Sequence, residues 1–371
     1  MRILMIAHTN APWTPHFARF FTERGDTLRV VSFAPHKLDG VDGIDVEFVG
    51  IEPFDLNKNK YVFITSIPRI RKIVRAFQPD LVFAPYLFSN GLSAVLSWKG
   101  PIVVSAVGGD VQNIDGWSGL GLLFREAIIR YVCRRAQIVN AVSQPLRDAL
   151  IRRGVPSSKV LVLPFGVDVA MFYPHPDMPR NPAVNLICTR KHEPVYDIPT
   201  IINALAQLKS SGRVFHCTFT CDGSLLERHK VQAAASGLND YVTFTGNLPH
   251  GELPLLLRSA DIYISASLSD GTSVALLEAL ASGLLPVVTR IPANTPWIKH
   301  GETGLLFVPG RAEDLTEMIS QAMDNAALRQ EAFNHNRQLV DQQANMNKNM
   351  DHLADIFSKL VSGQIRDDFN S

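Results

Sequence analysis

The stretch SDGTSVALLEALASG, residues 269–283, carries the pattern that decides the fold of this chain. Between residues 274 and 281 every residue except Glu278 is Val, Ala or Leu, which is typical of a buried helix. A buried carboxylate is costly unless it is paired or hydrogen-bonded, so Glu278 needs a partner. The four residues DGTS at 270–273 have the composition of a tight turn that leads into a helix N-terminus. The stretch therefore predicts a buried helix whose N-terminal end can hold an anion.

Strand-like runs alternate with helical patterns on both sides of this stretch. The first half contains RILMIAH, LRVVSF, DLVFAP, PIVVSAV, QIVNAV and KVLVLPF, and the second contains VNLICTR, VFHCTFT, YVTFTG, DIYISA and LPVVTR. This alternation is typical of α/β proteins with parallel sheets. Between the halves, residues 172–185 include four prolines and predict a stiff linker. We therefore expect two Rossmann-like domains, at 1–174 and 175–349, with a C-terminal helix at 350–371 that packs back on the first.

Composition limits the functional classes. The chain has 371 residues, of which 46% are hydrophobic and 19% charged, as in a well-cored globular protein. The start MRILMIAH lacks the regions of a signal peptide, and no apolar run is long enough to span a bilayer, so we expect a cytoplasmic protein. The four cysteines form no CxxC pair and are expected to be reduced thiols.

Charge is distributed unevenly along the chain. Residues 1–174 hold 20 Lys and Arg against 14 Asp and Glu, a net of +6, whereas the remainder holds 16 against 21, a net of −5. Much of the excess lies in 58–77 and 124–135, which predict amphipathic helices with basic faces. Such helices are typical of proteins that bind an anionic membrane surface, and a plain solvated face is the alternative. The strong basicity and aromatic interleaving of a nucleic-acid-binding protein are missing, so no nucleic acid is expected.

Polar residues follow several of the predicted strands. GGDVQN places Asp110 after the run PIVVSAV, TRKHEPVYD places Arg190 and Lys191 after VNLIC, and residues 269–273 follow DIYISA. Ligands of open α/β sheets bind at the carboxyl ends of the strands, so a cleft between two facing sheets is the expected site. Carboxylates, a guanidinium and a helix N-terminus suit a ligand with both phosphate and hydroxyl groups.

Further motifs make a family resemblance specific. They include VLVLPFGVDVAMFYP at 160–174, TRKHEPVYDIPTIINAL at 189–205, YVTFTGNLPHGELPLLLRSADIYISAS at 241–267, and HGETGLLFVPG at 300–310. With the spacing of an acid, seven residues and Glu, seen at Asp270 and Glu278, they resemble a retaining glycosyltransferase of the GT-B type, family GT4, also called glycosyl transferases group 1. The resemblance covers nearly the whole chain and implies two facing Rossmann-like domains with an interdomain cleft.

The resemblance implies roles for individual residues. Glu278 would accept hydrogen bonds from ribose hydroxyls. Arg190, which would bind the diphosphate, and Asp270, which would hold hydroxyls of the donor sugar, are the catalytic candidates of this domain. The N–H groups at the helix start would face the diphosphate or sugar, and the nucleobase would lie near the loop after YVTFTG. The further donor-binding residues on this basis are Gly271, Thr272, Ser273, Lys191, Tyr196, Asn247 and Leu248.

The chain also departs from the family pattern. Tyr196 stands where the family usually has a second cationic residue, Lys, so either Lys191 or His192 substitutes or the leaving group is less well neutralised. Val107 stands where many members have His. Asp110 is a catalytic candidate that would orient the acceptor hydroxyl, with a turn-stabilising role as the alternative, and His16 is a weaker acceptor-side candidate.

By this resemblance the chain would transfer a sugar from a UDP- or GDP-sugar to an acceptor hydroxyl, with retention of configuration. The acceptor would be a lipid-linked or cell-surface glycan precursor, with the enzyme peripheral on the inner face of the plasma membrane. No cofactor beyond the nucleotide-sugar co-substrate, and no metal, is expected. The alternatives are a sugar-nucleotide epimerase, for which no acid and base set is found, and a non-catalytic nucleotide-sugar-binding subunit. Retention of Arg190, Asp270 and Glu278 argues against the latter.

Overall fold

The computed structural model describes residues 1–11, 13–34, 38, 43–50, 62–112, 118–174, 184–249 and 251–365. The chain forms two compact units, each described by itself below. The first comprises Met1–Phe165 together with the C-terminal segment from Asn347, and the second comprises Gly166–Met346. Most of the linker expected at 172–185 lies outside the described residues, since 175–183 are not described.

A parallel sheet forms the centre of the first unit. Its strands lie in the order β3-β2-β1-β4-β5-β6-β7, and every pairing is parallel. The inner strands read as continuous apolar runs because helices cover both faces of such a sheet. The described strands are β1 (Arg2–Ile6), β2 (Thr27–Ser32), β3 (Asp45–Phe48), β4 (Leu81–Pro85), β5 (Ile102–Ala106), β6 (Ile138–Ala141) and β7 (Val160–Val162).

Helices connect these strands in the order that parallel pairing requires. They are α1 (Thr14–Glu23), α2 (Val62–Thr65), α3 (Ile67–Phe77), α4 (Leu92–Ser97), α5 (Gly119–Arg135) and α6 (Gln144–Arg152). The basic helix expected at 58–77 is thus two helices, because Pro68 starts α3 after Ser66. Residues 58–61 lie outside the described part of the chain.

The second unit has a parallel sheet of its own, in the order β10-β9-β8-β11-β12-β13. Its described strands are β8 (Val184–Cys188), β9 (Phe215–Thr220), β10 (Val242–Gly246), β11 (Ile262–Ser265), β12 (Leu285–Thr289) and β13 (Leu305–Phe307). Its helices are α7 (Ile198–Ser210), α8 (Leu226–Ala235), α9 (Glu252–Ser259), α10 (Val274–Ala281), α11 (Ala312–Asp324) and α12 (Ala326–Gln343).

The C-terminal helix α13 (Met346–Val361) belongs to the first unit for almost all of its length. Its Phe357 is fully buried and stacks on Phe21 of α1, with ring centroids 5.5 Å apart. The same ring also contacts Phe83 of β4 at 5.3 Å. Aromatic contacts of this kind add to the burial of apolar area, so α13 is an integral part of the core of the first unit.

Strand order reverses once in each sheet. In the first sheet the reversal lies between β1 and β4, and in the second it lies between β8 and β11. At such a point the two loops that leave the carboxyl ends diverge, which opens a crevice for a ligand. The fold therefore directs attention to the residues that immediately follow β8 and β11, and to those that follow β1 and β4.

Candidate functional site

Two predicted residues flank the reversal point of the second sheet. Arg190 follows β8 and Asp270 follows β11, so both side chains start from the carboxyl edge where the crevice opens. They lie 80 positions apart in the chain, yet Nη2 of Arg190 donates a hydrogen bond to Oδ2 of Asp270 at 2.7 Å. The topology of the sheet therefore brings the predicted cation and the predicted acid into direct contact.

Arg190 is held on three sides. Besides its bond to Asp270, its Nη1 donates to the Ser273 hydroxyl at 2.8 Å. The ring of Tyr196 lies against the guanidinium, with the ring centroid 4.1 Å from Cζ. Only 7% of Arg190 is exposed. A guanidinium that is fixed by two hydrogen bonds and a stacked ring loses little further freedom when it binds an anion.

Ser273 is the N-cap of α10. Its backbone is extended, and its hydroxyl accepts a hydrogen bond from the N–H of Leu276 at 3.2 Å. Asp270 is therefore not the helix cap. Its second oxygen accepts the N–H of Gly271 at 2.8 Å, and 18% of its side chain remains exposed. Since Ser273 performs the capping, the Asp270 carboxylate is positioned by Arg190 and the turn instead.

Glu278 is less buried than its apolar surroundings predict. Helix α10 buries Leu276, Leu277 and residues 279–281, but Val274, Ala275 and Glu278 are partly exposed. Ala275 and Val274 precede Glu278 by three and four residues, so both lie beside it on one face of the helix. The residue as a whole is therefore partly exposed along this face, while its carboxyl group is buried, as the sequence predicts.

Electrostatics nevertheless perturb this carboxyl strongly. Burial raises the pKa of Glu278 from 4.5 to about 7, although the positive charge of Arg190 opposes the shift. No donor among the described residues makes a hydrogen bond to the Glu278 carboxylate. A perturbed carboxyl at the carboxyl edge of an α/β sheet is a candidate ligand-binding group, and here its accepting capacity is unused by the described protein.

The missing second cation is not replaced by His192. This residue is fully buried, and its Nδ1 lies 2.8 Å from Nδ1 of His229, which is buried as well. Burial, together with the neighbouring His229, lowers the pKa of His192 to about 4, so the ring is neutral near pH 7. Of the two substitutes expected from the sequence, Lys191 and His192, only the exposed Lys191 is left as a cationic side chain.

Loops after β8, β9 and β10 are tied together at this edge. The N–H of His192 donates to the carbonyl of Asp222 at 3.0 Å, and Oδ1 of Asn247 accepts the N–H of Asp222 at 3.0 Å. A Cβ on Gly223 would lie 2.6 Å from both N and O of His192, so only glycine allows this approach. Asn247 thus acts on the loop through its side chain, and Leu248, which follows it, is partly exposed.

Most of the predicted donor-side residues therefore lie on one edge of one sheet, in two groups. A tightly bonded group contains Arg190, Tyr196, Asp270, Gly271 and Ser273. The others follow strands or lie at α10 on the same edge; they are Lys191, Asn247, Leu248, Thr272 and Glu278. Sequence reasoning missed His229, whose contact with His192 joins positions 37 apart and leaves no local signal.

In the first unit, the geometry favours the turn-stabilising role of Asp110. Its carboxylate is fully buried and accepts three backbone N–H groups, from Val107 at 3.0 Å, Gly108 at 2.9 Å and Leu87 at 2.8 Å. Burial raises the pKa of Asp110, while these hydrogen bonds oppose the rise. Both oxygens accept backbone N–H groups that join the ends of β4 and β5, which is the geometry of a turn-stabilising carboxylate.

Tyr86 is a further residue at this edge that the sequence did not indicate. It directly follows β4 at the reversal point and has φ 84° and ψ 105°, a conformation that costs a bulky residue of order 1–3 kcal/mol. A π-helical turn, Leu87–Gly91, follows it. Such turns are frequent at functional sites. His16 lies in the first turn of α1, after β1, and is partly exposed.

Membrane spans and metal-binding clusters are both missing from the described part of the chain. None of the helices that the structure describes combines the length and apolar character needed to cross a bilayer. In the same ranges, no three His, Cys, Asp or Glu side chains lie together as a metal-binding group would.

Comparison with known proteins matches each unit separately. The family described as Glycosyltransferase Family 4 matches residues 14–171, and that described as Glycosyl transferases group 1 matches residues 185–339. Among curated relatives, the chain is 21% identical over 282 residues to a subunit of the phosphatidylinositol N-acetylglucosaminyltransferase of Arabidopsis thaliana. That match covers 76% of this chain and 62% of the relative.

A second relative is the GDP-mannose-dependent alpha-(1-6)-phosphatidylinositol monomannoside mannosyltransferase of Mycobacterium tuberculosis. It is 27% identical over 217 residues, which is 54% of this chain and 55% of the relative. The chain thus spans about half to two thirds of the length of these relatives.

Among solved structures, Anabaena HepE in complex with UDP-glucose matches with a TM-score of 0.78 and 17% identity, over 96% of this chain and 99% of that one. This likeness concerns the fold, which is that of the GT-B class expected from the sequence. Because these two family models together match most of both units, the chain belongs to the glycosyltransferases of family 4.

Proposed function

We propose that this protein transfers a sugar from a UDP- or GDP-sugar to an acceptor hydroxyl, with retention of the donor's anomeric configuration. The observation that carries the proposal is the contact between Arg190 and Asp270 at the reversal point of the second sheet, with Glu278 on the partly open face of the adjacent helix. The planar guanidinium and the helix N-terminus suit a diphosphate, and the carboxylates of Asp270 and Glu278 can accept hydrogen bonds from hydroxyl groups on either side of it. This combination suits a nucleoside diphosphate that carries a sugar.

Each residue of this edge has a proposed role. Glu278 accepts hydrogen bonds from the ribose hydroxyls, which suits a carboxylate without a described protein donor. Asp270 holds hydroxyls of the donor sugar, and Arg190 binds the diphosphate. Tyr196 contributes through its ring, which supports the guanidinium, rather than by replacing a cation. The N–H groups of residues 271–273 face the diphosphate or the sugar.

The chemistry assigned to the protein is mainly positioning and neutralisation of developing charge. The acceptor hydroxyl attacks the anomeric carbon from the face that the diphosphate leaves, and a phosphate oxygen takes the hydroxyl proton. The bond from the sugar to the diphosphate breaks as the new glycosidic bond forms. Arg190 and the start of α10 stabilise the charge that grows on the diphosphate. In this proposal the reaction needs no metal ion and no resident cofactor.

Relatives support the proposed substrates. The mycobacterial relative is named for GDP-mannose and a phosphatidylinositol mannoside, the Arabidopsis relative is named for phosphatidylinositol, and HepE was crystallised with UDP-glucose. We therefore assign the acceptor to lipid-linked or cell-surface glycan precursors. The net charge of +6 on residues 1–174 suits a cytoplasmic enzyme that works at an anionic membrane surface.

A transfer assay tests the proposal. The purified protein is incubated with UDP- and GDP-sugars and a lipid extract, and the release of nucleoside diphosphate is measured with and without EDTA. Nuclear magnetic resonance of the product identifies the anomer. We expect release with one nucleotide class, a retained anomer, insensitivity to EDTA, and loss in Glu278→Gln.

Arg213→Lys is a matched control, because Arg213 is a surface residue paired with Asp324 by exposed side chains. Its variant should keep full activity. A nucleotide that binds tightly while no sugar is ever transferred would instead establish a non-catalytic binding subunit. Tyr196 stands where the family usually has Lys, and this loss of a cation motivates that second candidate.

A further inference from the structure

An exposed apolar stripe lies on helix α5. Leu120 is 85% exposed, Leu123 66%, Phe124 53% and Tyr131 43%. Their spacing of three, four and seven residues places them along one side of the helix. Single exposed apolar residues are ordinary, but four large ones on one helix form a patch that marks an interaction surface.

Positive charge continues the stripe toward the end of the helix. Arg130, Arg134 and Arg135 are exposed, whereas the single acid within α5, Glu126, is paired with Arg153 through a bond of 2.8 Å between Nε and Oε2. The exposed side of α5 therefore has an apolar end and a cationic end. This combination is typical of a helix that lies in the interface of a lipid bilayer.

A second basic helix lies on the same side of the first sheet. Helix α3 packs against α4, and α4 packs against α5. The exposed positions of α3 include Arg69, Arg71, Lys72 and Arg75. The exposed cationic side chains of α3 and α5 therefore belong to helices that are linked through α4, and together they attract anionic lipids.

The apolar end of α5 is fixed near the ligand-binding edge of the first sheet. Nη2 of the buried Arg125 donates to the carbonyl of Gly109 at 2.8 Å and to that of Gln112 at 3.0 Å. Nη2 of Arg153 donates to the carbonyl of Val111 at 2.9 Å. These carbonyls belong to the turn that follows β5, at the carboxyl edge of the sheet. The first turns of α5 are therefore held rigidly at that edge.

We propose that α5 is the membrane-docking surface of this protein: Leu120, Leu123 and Phe124 enter the interface of an anionic bilayer, and the arginines of α5 and the basic face of α3 bind its headgroups. This inference deepens the proposed function, on which it rests for the nature of the acceptor. It places the carboxyl edge of the first unit, where acceptors of this fold class are expected, at the lipid surface. A lipid-linked acceptor then reaches the enzyme without leaving the membrane.

Charge argues for a bilayer rather than a second copy of this chain. In a symmetric dimer with parallel α5 helices the arginines of one helix would lie against those of the other, and with antiparallel helices they would be buried against its apolar end. Like charges at that distance repel, whereas an anionic membrane neutralises them. A lipid surface also accepts a narrow stripe without requiring the shape complementarity of a protein partner.

Flotation with lipid vesicles tests the inference. Full-length protein is mixed with vesicles of phosphatidylcholine alone or with phosphatidylglycerol, at low and high salt. We expect binding only to the anionic vesicles, weakened by salt. The triple change Leu120→Ser, Leu123→Ser, Phe124→Ser should lower the bound fraction at least about tenfold, because exposed apolar side chains supply the insertion. Replacement of Arg130, Arg134 and Arg135 by Gln should also lower the bound fraction and should weaken the salt dependence, since the basic face of α3 remains.

Two controls make the outcome specific. Val214→Ser with Val231→Ser changes two exposed apolar residues of the second unit, each 70% exposed, and should leave vesicle binding unchanged. Binding of a nucleoside diphosphate, followed by calorimetry, should be the same in every variant. That measurement reports on the donor site, so its failure in the wild type would count against the proposed function and not against membrane docking.

The inference is overturned if the wild type does not float with anionic vesicles at low salt, or if the Leu and Phe variant floats as well as the wild type. The wild type could instead sediment as a dimer that the same triple change converts to a monomer. That result would assign the stripe to a second copy of the chain and would equally overturn the inference.

Discussion

Glu278 makes a quantitative prediction about pH. Burial places its pKa at about 7, so the carboxyl loses its proton as pH rises through neutrality. If the ribose hydroxyls donate to the carboxylate, only the deprotonated form binds well, and apparent affinity scales with its fraction. With a pKa near 7, this fraction is about 0.1 at pH 6 and about 0.9 at pH 8. Nucleoside diphosphate should therefore bind roughly tenfold more weakly at pH 6 than at pH 8.

Calorimetric titration at several pH values measures this dependence, and Glu278→Gln is the matched control. The amide keeps the size of the side chain but has no proton to lose in this range. The variant should therefore bind nucleotide more weakly than wild type at pH 8, and position 278 should add nothing to the pH dependence of its affinity. Protonation of the diphosphate itself affects both proteins equally and cancels in the comparison. Parallel pH profiles for the two proteins, or a wild type that binds better at pH 6, would refute the proposed role of the carboxylate.

Three further predictions concern neighbouring residues. Tyr196→Phe should leave the nucleotide affinity within about twofold of wild type, because the ring that supports Arg190 is kept. Tyr196→Leu should weaken the affinity several-fold in a calorimetric titration. An equal loss of affinity in both variants would assign the effect to the hydroxyl. Asp110→Ala should destabilise the first unit by about 3 kcal/mol or more in urea unfolding, since three buried N–H groups lose their acceptor; an unchanged midpoint with lost activity would restore Asp110 to an acceptor-side role. Gly223→Ala should lower the thermal midpoint and weaken nucleotide binding, because its Cβ would meet the backbone of His192 at 2.6 Å; unchanged values would show that the loop moves aside at little cost.

Much of the fold follows from local sequence. The apolar runs become the inner strands of the two sheets because each is covered on both faces and must be apolar throughout. Strands β3 and β13 were not predicted. Both stand at the edge of a sheet. Strand β3 (DVEF) is only partly buried and contains two acids, and β13 (LLF) lies between the glycine and the proline of the motif GLLFVPG.

Sequence predicts which residues lie at the candidate edge, but not the contacts that they make there. Polar residues that follow apolar runs identify Arg190 and Asp270, since carboxyl ends of parallel strands meet at one edge. The assignment of the helix cap to Ser273 rather than Asp270 depends on backbone geometry that either residue type could adopt. The neutrality of His192 depends on a histidine that is distant in sequence, and a single sequence gives no sign of that contact.

Asp110 and Glu278 both show that a sequence pattern does not predict the environment of a carboxylate. Asp110 follows a strand in the manner of a catalytic acid, yet its carboxylate is fully buried and accepts backbone N–H groups from two separate strand ends. Glu278 lies in an apolar segment in the manner of a buried residue, yet one face of its helix is left partly open. In both cases tertiary packing decides how much of the carboxylate is available, and sequence spacing does not contain that information.

The central claim is that the edge formed by Arg190, Asp270 and Glu278 binds a nucleoside diphosphate. Calorimetric titration of the purified protein with UDP, GDP, ADP and NAD tests it most directly, with Arg190→Ala, Glu278→Ala and the control Arg213→Lys measured alongside. Tight binding of one nucleoside diphosphate, lost in the first two variants and kept in the control, is the predicted result. Absence of binding by any of the four, or variants that bind as well as wild type, would contradict the claim.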